Sequence, residues 1–284
     1  MEKVLIVGSG AVGTLMSYAL MSVGVEPYML LKDSQRLAVI RSSGLRLRRV
    51  NDSVERLNGV HLITYEDLLR IGFFDLIIMA TKAYDFLEAL KTVRTYLGEE
   101  GVLVTCQNGL RSYEEALEVL GPERVAALVL NHGVYRSGLY EFTWIGGSTS
   151  YLGSRGAPRE LLRDVSSLLK VLNVEVVDDI EPYRWVKLSV NAAINPLTAL
   201  HGVRNKHVVT DKNLFRIATG VVTEAREVAE KLGLALYVDP LNELIRVAET
   251  TGENYSSMYQ DLINRRRTEV DYINGEIVVR GMSV

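Results

Sequence analysis

The segment that most constrains the fold lies at the N-terminus, where a short apolar run is followed by three spaced glycines. Residues Val4–Val7 are all apolar, which is typical of a strand buried on both faces. The sequence GSGAVG then places Gly8, Gly10 and Gly13 in G-x-G-x-x-G spacing, and the helix-forming residues 11–23 follow directly. A strand, a glycine-rich turn and a helix in this order predict the first unit of a parallel sheet covered by helices.

This glycine loop has the properties needed to hold a pyrophosphate. Gly8 permits a tight turn, Gly10 lets the backbone approach the anion, and Gly13 allows the helix to pack closely on the strand. Backbone amides at the start of the helix then point at the phosphate. We therefore expect a dinucleotide here, with an incidental glycine-rich turn as the alternative. The residues expected to bind it are Gly8, Ser9, Gly10, Ala11, Val12 and Gly13.

Strand-like and helix-like segments alternate through the first half of the chain. Short apolar runs occupy residues 26–31, 75–81 and 102–109, and helical patterns follow the last two. The stretch 126–153 is β-rich and punctuated by glycine, which is consistent with the sheet continuing through antiparallel or irregular strands. The predicted fold class of this half is α/β, a doubly wound parallel sheet.

The strand signal almost vanishes after residue 180. An all-helical domain is therefore predicted to follow the α/β domain, with boundaries at 1–179 for the dinucleotide-binding domain and 180–284 for the substrate domain. Its helical patterns run through residues 183–200, 211–232, 239–250 and 256–280.

Composition narrows the class of ligand. The 284 residues carry 32 basic and 35 acidic side chains, and a net charge of −3 argues against a nucleic acid or an anionic membrane as partner. One cysteine, Cys106, excludes a disulfide framework and a multi-thiolate zinc site, and the histidines lack metal-ligand spacing, so no metal is expected. No apolar run reaches the ~20 residues of a membrane helix. We expect a soluble cytoplasmic protein that acts on a small molecule.

The end of the second strand chooses between the two nicotinamide cofactors. An acidic residue there binds the ribose 2′-hydroxyl of NAD, whereas a basic residue accommodates the 2′-phosphate of NADP. Here Lys32 comes first and Asp33 next, with Arg36 one turn beyond. Lys32 at the strand end favours NADP(H), while NAD(H) is not excluded, and a solvated pair of charges in a loop is the alternative.

Polar residues follow two further predicted strands. TKAYD contains Lys82 and QNG contains Asn108, each at the carboxyl end of its strand. In an open α/β sheet this edge is where ligands bind. Lys82 could reach a phosphate or carboxylate and Asn108 could bind substrate or nicotinamide, and either could equally be an ordinary loop residue.

The helical domain contains one polar stripe in an apolar setting. Lys187, Asn191 and Asn195 stand at i, i+4 and i+8 of RWVKLSVNAAINPLTAL. A solvated stripe is the alternative, but the flanking apolar residues leave little surface for water, and buried polar groups need partners that a ligand would supply. Pro196 restricts Asn195 and is expected to disturb the helix there.

A second polar stripe is predicted in residues 253–276. Ser257, Asp261 and Arg265 have i, i+4 spacing on the predicted helix, and Glu269 extends the stripe. A solvated helix face is the alternative for such a charge run. Asn254, with Ser256, could cap the helix and do no more.

Together, GSGAVG, TKAYD, QNG, WVKLSVNAAINPLTAL and ENYSSMYQDLINRRRTEVDYING resemble the ketopantoate reductase (2-dehydropantoate 2-reductase) family in order and spacing across nearly the whole chain. The resemblance implies an N-terminal Rossmann domain that binds NADPH and a helical domain similar to that of 6-phosphogluconate dehydrogenase. It implies the reduction of ketopantoate to (R)-pantoate in pantothenate and coenzyme A synthesis.

The resemblance also implies roles for individual residues. Lys187 matches the proposed general acid and Glu269 the glutamate that orients the substrate, so these two are the expected catalytic residues. Lys32 and Lys82 match basic contacts to the phosphate side of the cofactor, and Asn108 matches an asparagine near both nicotinamide and substrate. The expected substrate-binding residues are Asn108, Lys187, Asn191, Asn195, Asn254 and Ser257.

In one respect the sequence departs from that family. Its members usually continue past the segment NGEIVVRG into a closing helix, whereas here Val284 ends the chain. We therefore expect one helix fewer at the C-terminus, either because the lineage has lost it or because this sequence is truncated. The face that this helix would cover is then open to a partner subunit, which makes a homodimer compatible with the sequence.

Two other functions fit parts of the pattern. A related NAD(P)-dependent reductase of another 2-keto or 3-hydroxy acid would share the glycine loop and could share Lys187. A non-catalytic redox sensor would bind the dinucleotide but would have no need for Lys187 and Asn191. Turnover with ketopantoate and with a panel of other keto acids discriminates among the three.

Overall fold

The computed structural model describes residues 1–32 and 34–284. They form two compact units, one of Met1–Gln107 and Ser112–Ile180, the other of Asn108–Arg111 and Glu181–Val284. The short segment Asn108–Arg111 belongs to the second unit although its neighbours in the chain belong to the first. The predicted boundary at 179/180 places this segment in the first domain instead.

The first unit contains the strands and the first helices. In chain order these are β1 (Val4–Val7), α1 (Ala11–Met21), β2 (Tyr28–Leu30), α2 (Ser34–Ser43), β3 (Arg46–Arg48), β4 (Val54–Arg56), β5 (His61–Ile63), α3 (Tyr65–Ile71), β6 (Phe74–Met79), α4 (Ala83–Val93), β7 (Leu97–Thr105), α5 (Arg111–Leu120), β8 (Val125–Val129), β9 (His132–Arg136), β10 (Glu141–Gly147), β11 (Ser150–Gly153), α6 (Arg159–Leu168) and β12 (Val174–Val176). Short 3₁₀ turns lie at Arg94–Tyr96, Pro122–Arg124 and Lys170–Leu172.

The main sheet confirms the doubly wound prediction. In the described part of the chain its strand order is β12-β11-β8-β7-β6-β1-β2-β5. β1 lies in the sheet interior, parallel to β2 on one side and to β6 on the other. Every residue of β1 is buried, as its apolar run predicted. Because the chain leaves β1 toward β2 and later returns to β6, the strand order reverses beside β1, and ligands bind at such a reversal in open α/β sheets.

A second, smaller sheet was not predicted. It has the order β4-β3-β10-β9, with β10 parallel to β3 and antiparallel to β9. The expectation that 126–153 continues the main sheet therefore holds for β8 and β11 and is wrong for β9 and β10. Local patterns predict strands but not their partners, and the partners β3 and β4 come from a distant part of the chain.

The second unit is helical beyond residue 180, as predicted. Its helices are α7 (Glu181–His201), α8 (His207–Thr210), α9 (Lys212–Lys231), α10 (Pro240–Thr250), α11 (Ser257–Ile263) and α12 (Val270–Gly281). Asp211 caps α9 and Asp239 caps α10, each accepting hydrogen bonds from two backbone N–H groups of the first turn. None of the described helices is both long enough and apolar enough to cross a membrane.

The single helix predicted over 256–280 is in fact two. α11 ends in a Schellman turn, in which the N–H of Arg266 donates to the carbonyl of Asp261 at 2.8 Å and that of Arg265 to the carbonyl of Leu262 at 3.0 Å. Arg265 takes the left-handed conformation with φ 54°, a position usually held by glycine or asparagine. An arginine there gives no stop signal in the sequence, so the continuous stripe from Ser257 to Glu269 was wrong.

Candidate functional site

The glycine loop follows β1 at the point where the strand order reverses. Gly8 has φ 118°, and a Cβ on it would lie 2.8 Å from the carbonyl oxygen of Ala80, the residue after β6. The N–H of Ala80 donates to the carbonyl of Val7 at 2.9 Å, so the ends of β1 and β6 are joined directly beneath the loop. Only glycine fits at position 8, because both the backbone conformation and the neighbouring chain exclude a side chain.

The other two glycines of the loop differ in what surrounds them. A Cβ on Gly13 would lie 2.0 Å from the carbonyl oxygen of Gly8, so this glycine is required for α1 to pack against the loop. A Cβ on Gly10 would meet nothing within 4 Å in residues 1–32 and 34–284. The protein's own atoms therefore do not explain a glycine at position 10, whereas a bound group close to the backbone would.

The start of α1 is suited to bind an anion. Gly10 is its N-cap residue, and no side chain caps it. The first turn contains no acidic residue. The N–H groups of Ala11 and Val12 lack acceptors within the helix, as in every helix N-terminus, and both residues are only partly buried, as is Ser9. A phosphate at this position would receive these donors and the favourable end of the helix dipole.

The basic residues expected at the phosphate side lie at two strand ends. Lys32 follows β2 and is largely exposed, with its Nζ 4.0 Å from Oε2 of Glu88. Lys82 follows β6, is partly buried, and takes the N-cap position of α4. Asp33, the competing residue in the choice between NAD and NADP, lies outside the described residues.

Gln107 has a structural role that the sequence analysis did not identify. Its Nε2 donates to the carbonyl oxygens of Met79 at 2.9 Å and of Thr81 at 3.1 Å, and its Oε1 accepts from the N–H of Cys106 at 3.2 Å. The side chain thereby ties the end of β7 to the end of β6. Cys106 itself is buried, as expected of a core thiol.

In the second unit, the polar stripe of α7 lies on one continuous helix. α7 runs from Glu181 to His201 without interruption, so Lys187, Asn191 and Asn195 keep their i, i+4, i+8 register despite Pro196. Lys187 and Asn191 are partly buried and Asn195 is only 5% exposed. A solvated face does not fit this burial, so polar partners are required.

The segment Asn108–Arg111 joins this stripe. Nδ2 of Asn191 donates to Oδ1 of Asn108 at 3.4 Å, a long hydrogen bond. Gly109 has φ 88°, and a Cβ on it would lie 2.1 Å from the carbonyl oxygen of Tyr272 in α12. The QNG motif is explained by this approach, since the glycine lets the chain carrying Asn108 run against α12.

Two arginines fix the rest of that segment. The buried guanidinium of Arg184 on α7 donates to the carbonyl of Leu110 and also binds Glu181 at 2.8 Å. Nη2 of Arg111 lies 2.5 Å from Oε1 of Glu276, which is 3% exposed. The segment is therefore anchored to α7 and to α12, and the position of Asn108 is set by both helices.

The residues before α11 are fixed by a chain of hydroxyl groups. Ser256 caps α11 by accepting from the N–H of Tyr259 at 3.1 Å, and its Oγ lies 2.7 Å from Oγ1 of Thr198 on α7. Thr198 in turn donates to the carbonyl of Ile194 at 2.8 Å. The capping role foreseen for Ser256 is confirmed, while Ser257 next to it is exposed.

An ion-pair cluster forms around Glu253, the residue before Asn254. Glu253 accepts hydrogen bonds from Lys206 at 2.6 Å and from Arg204 at 2.5 Å, and these two cations lower the pKa of its carboxyl below the ordinary value. The carbonyl of Asn254 accepts from the N–H of Asn205 at 2.9 Å. Asn254 is thus attached to the loop that follows α7.

Glu269 lies at the N-cap position of α12 and is 6% exposed. It is therefore placed by the second of the two helices that replace the predicted one. Asp261, on α11, is also buried and is paired with Nε of Arg266 at 3.2 Å, whereas Arg265 occupies the turn. Of the four residues in the predicted stripe, Ser257 and Asp261 share a helix and the other two do not.

Two asparagines with a buried Oδ1 atom were not predicted from the sequence. Asn205 is 7% exposed, its Nδ2 donates to Oγ1 of Thr251 at 2.9 Å, and its Oδ1 has no partner among the described residues. Nδ2 of Asn274 donates to the carbonyl of Ala192 at 2.9 Å, and its buried Oδ1 likewise has no partner there. Asn205 stands outside any apolar periodicity, and Asn274 reads as an ordinary surface residue, so neither gave a signal.

No group of three or more His, Cys, Asp or Glu residues within 1–32 and 34–284 is arranged to hold a metal ion. The predicted substrate-binding and catalytic residues of the second unit, here called the polar set, comprise one ammonium, amides, a hydroxyl and a buried carboxylate. They are Lys187, Asn108, Asn191, Asn195, Asn254, Ser257 and Glu269. Such a set can bind a small molecule that has both a carboxylate and a hydroxyl, since amides donate and accept while the ammonium compensates negative charge.

Comparison with known proteins identifies the family. Residues 4–156 match the family model "Ketopantoate reductase PanE/ApbA", and residues 179–284 match "Ketopantoate reductase PanE/ApbA C terminal". The 2-dehydropantoate 2-reductase of Pyrobaculum aerophilum is 37% identical over 282 residues, which cover 97% of this chain and 89% of that protein.

Solved structures agree in fold. A PanE/ApbA family ketopantoate reductase from Ralstonia eutropha JMP134 has a TM-score of 0.86 and 26% identity, with 99% of this chain and 92% of the other covered. D-mandelate dehydrogenase in a complex with NADH and anilino(oxo)acetate has a TM-score of 0.90 at 23% identity, with the same coverage of 99% and 92%, and so shares the fold. The resemblance carried by the motifs is confirmed, and this chain is an oxidoreductase that belongs to the ketopantoate reductase family.

Proposed function

We propose that this protein reduces 2-dehydropantoate (ketopantoate) to (R)-pantoate with NADPH. The observation that carries the proposal is the 37% identity, along 97% of the chain, to a protein named 2-dehydropantoate 2-reductase. The polar set of the second unit supports it, because ketopantoate has a carboxylate, a ketone and a hydroxyl that match an ammonium, amides and a carboxylate.

The glycine loop is proposed to bind the pyrophosphate of the dinucleotide. The open space at Gly10 and the uncapped start of α1 fit a phosphate close to the backbone. Lys32 and Lys82 are proposed to contact the adenosine phosphate side, with Lys32 favouring NADP(H) over NAD(H). When bound, the nicotinamide supplies a hydride for the ketone carbon.

Lys187 is proposed as the general acid. Negative charge develops on the ketone oxygen as the carbon is reduced, and an ammonium stabilises that charge and then transfers its proton to the oxygen, so that an alcohol and a neutral amine result. Solvent returns the proton to Lys187 before the next turnover. Lys187 fits because it is partly buried and extends from α7, a continuous helix most of whose neighbouring residues are buried.

The remaining residues are proposed to hold the substrate in one orientation. Glu269 accepts a hydrogen bond from the substrate hydroxyl, and the buried position of its carboxylate favours a single geometry. The amides and hydroxyl bind the carboxylate and the ketone without adding a second acid. These residues are Asn108, Asn191, Asn195, Asn254 and Ser257, to which the unpaired Oδ1 of Asn205 adds an acceptor.

The surroundings of the reaction follow from the same proposal. Pantothenate and coenzyme A synthesis consumes (R)-pantoate, and the single cysteine of the chain fits the reducing cytoplasm. A homodimer is proposed because Val278, Val279 and Met282 expose apolar side chains on one face of α12. Light scattering checks the dimer, and a monomer over the whole concentration range would contradict it.

The experiment that tests the function is steady-state kinetics with the purified protein. We expect ketopantoate to be reduced with NADPH at a kcat/KM well above that of other 2-keto acids, with (R)-pantoate as product. Preference for another keto acid would indicate a sibling reductase. Dinucleotide binding without turnover of any keto acid would indicate a sensor.

A further inference from the structure

α7 contains a proline that leaves one of its carbonyl groups without a helical partner. Pro196 has no N–H, so the carbonyl of Ala192, four residues earlier, cannot receive the usual intrahelical hydrogen bond. Ala192 is 2% exposed, so water does not reach the site freely. A buried carbonyl in this position requires another donor.

Asn274 of α12 supplies that donor. Its Nδ2 lies 2.9 Å from the carbonyl oxygen of Ala192. Because a carbonyl only accepts, the NH₂ group of the amide must face α7, and the orientation of the side chain is fixed. Its Oδ1 is then buried without a partner among the described residues, so the contact with Ala192 is the hydrogen bond that holds this amide in place.

We propose that Asn274 is a positioning residue that compensates for Pro196 and locks α12 to the polar stripe of α7. Ala192 directly follows Asn191 and lies within the turn that ends at Asn195, while α12 begins next to Glu269. This hydrogen bond therefore contributes to fixing the start of α12, and with it Glu269, relative to that stripe. The structural part of this proposal is independent of the reaction, and the part that concerns substrate rests on the proposed function.

The pairing of proline with asparagine makes the two helices depend on each other. With any other residue at position 196, the backbone of α7 would complete its own hydrogen bonds whether or not α12 were in place. With Pro196, the carbonyl of Ala192 is satisfied only when Asn274 reaches it. The register of α12 against α7 is thereby specified by a polar contact rather than by apolar packing alone.

The test is a double-mutant cycle of Asn274→Ala with Pro196→Ala. Asn274→Ala alone is expected to raise KM for ketopantoate roughly tenfold, the fold-change that corresponds to one buried hydrogen bond, with the Kd of NADPH unchanged. In the Pro196→Ala background, residue 196 has an N–H for Ala192, so the same substitution is expected to have little effect. An equal effect in both backgrounds would overturn the proposal.

Asn264→Ala is the matched control. Nδ2 of Asn264 also donates to a helical carbonyl, that of Gln260 at 2.7 Å, but this residue is exposed and no proline lies nearby. Its substitution is expected to leave KM unchanged and to show no coupling with Pro196→Ala. Asn274→Asp, which keeps the shape but loses the donor, should behave like Asn274→Ala, and wild-type KM in that variant would contradict the proposed bond.

Urea midpoints of the same four proteins, read without substrate, separate this proposal from the proposed function. Asn274→Ala should lower the urea midpoint of the wild-type protein, and the same substitution should lower that of Pro196→Ala much less. If Asn274→Ala alone is too unstable to purify, the double variant should be soluble. Additive midpoints would overturn the coupling even if ketopantoate is the substrate. If the wild-type protein does not reduce ketopantoate, the proposed function is refuted. The coupling between residues 196 and 274 can still be measured, from the urea midpoints and from the hydrogen exchange of the α7 amides.

Discussion

The glycine loop and the polar set of the second unit differ in how their parts are distributed along the sequence. The loop is six consecutive residues, and its properties come from backbone conformation and from amides at a helix start. The polar set draws Asn108, Lys187, Asn254 and Glu269 from separate segments, and side chains carry its chemistry. The glycine loop can therefore be predicted from a short motif on physical grounds. The polar set forms only once the helices of the second unit have packed.

Among the variants, Lys187→Ala is expected to have the largest effect, and it tests the polar set of the second unit. We expect kcat with ketopantoate to fall by about 10²- to 10⁴-fold, the usual contribution of a positioned general acid. The Kd of NADPH, measured by fluorescence titration, should not change, because the loop proposed to bind it lies in the first unit. Lys212→Ala, at an exposed position of α9, is the control. Normal turnover of Lys187→Ala would remove this residue from the mechanism.

Gly10→Ala tests the glycine loop, and here the expected change is in dinucleotide affinity. A Cβ there meets no atom of the described residues within 4 Å, so the thermal midpoint should stay the same, while the Kd of the dinucleotide should rise about 10- to 100-fold because the methyl group would occupy the phosphate position. Gly220→Ala on α9 also adds a Cβ in open space and should keep affinity with a slight gain in stability. Unchanged affinity in Gly10→Ala would show that the loop does not bind the pyrophosphate.

Lys32→Ala sharpens the choice of cofactor. KM for NADPH should rise about tenfold through loss of one charge-assisted contact to the 2′-phosphate, and KM for NADH should not change. Lys91→Ala, exposed on α4, is the control for a general loss of positive charge. If NADH is the better cofactor and Lys32→Ala affects neither, the ribose is bound through Asp33 instead.

The smallest expected effect concerns how the free energy of unfolding depends on pH. It involves Asp239, which belongs neither to the glycine loop nor to the polar set. Burial raises the pKa of Asp239, but hydrogen bonds from the N–H groups of Leu241 and Asn242 and from Arg226 lower it further, so it lies below the ordinary value. The carboxylate therefore stabilises the fold at neutral pH, and this contribution is lost as pH falls through the depressed pKa.

Asp239→Asn keeps a capping side chain but removes the charge. Wild type should exceed it in urea midpoint at neutral pH by an amount equivalent to less than about 1 kcal/mol, since both side chains of the ion pair with Arg226 are more than a third exposed. The difference should shrink toward about pH 3, below the ordinary pKa of aspartate. A difference that grows in acid would contradict this assignment.

Much of the fold was accessible from sequence because its signals are local. The buried run of β1, the glycine loop and the switch to helical periodicity near residue 180 are each contained in a short window. The second sheet was not accessible, since β10 pairs with β3 from far along the chain. The break after Ile263 was missed because arginine, not glycine, takes the left-handed position.

The candidate site was predictable in its residues but less so in its geometry. Spacing placed Lys187, Asn191 and Asn195 on one face, and α7 keeps that register through Pro196. Asn274 donates to the carbonyl of Ala192 that Pro196 leaves without its usual donor, and this contact depends on the packing of a helix some 80 residues away in the sequence. A rule that proline ends helices looks only along the chain and cannot include such a donor.

The segment Asn108–Arg111 has a consequence for any attempt to take the protein apart. It interrupts the first unit in the chain but is held by Arg184 and Glu276 of the second. A fragment that starts at Glu181 would lack this segment, and with it Leu110 and Arg111, through which the segment contacts Arg184 and Glu276. Chimeras between relatives should therefore exchange residues 108–111 together with everything after 180, because a single cut in the sequence does not separate the two structural units.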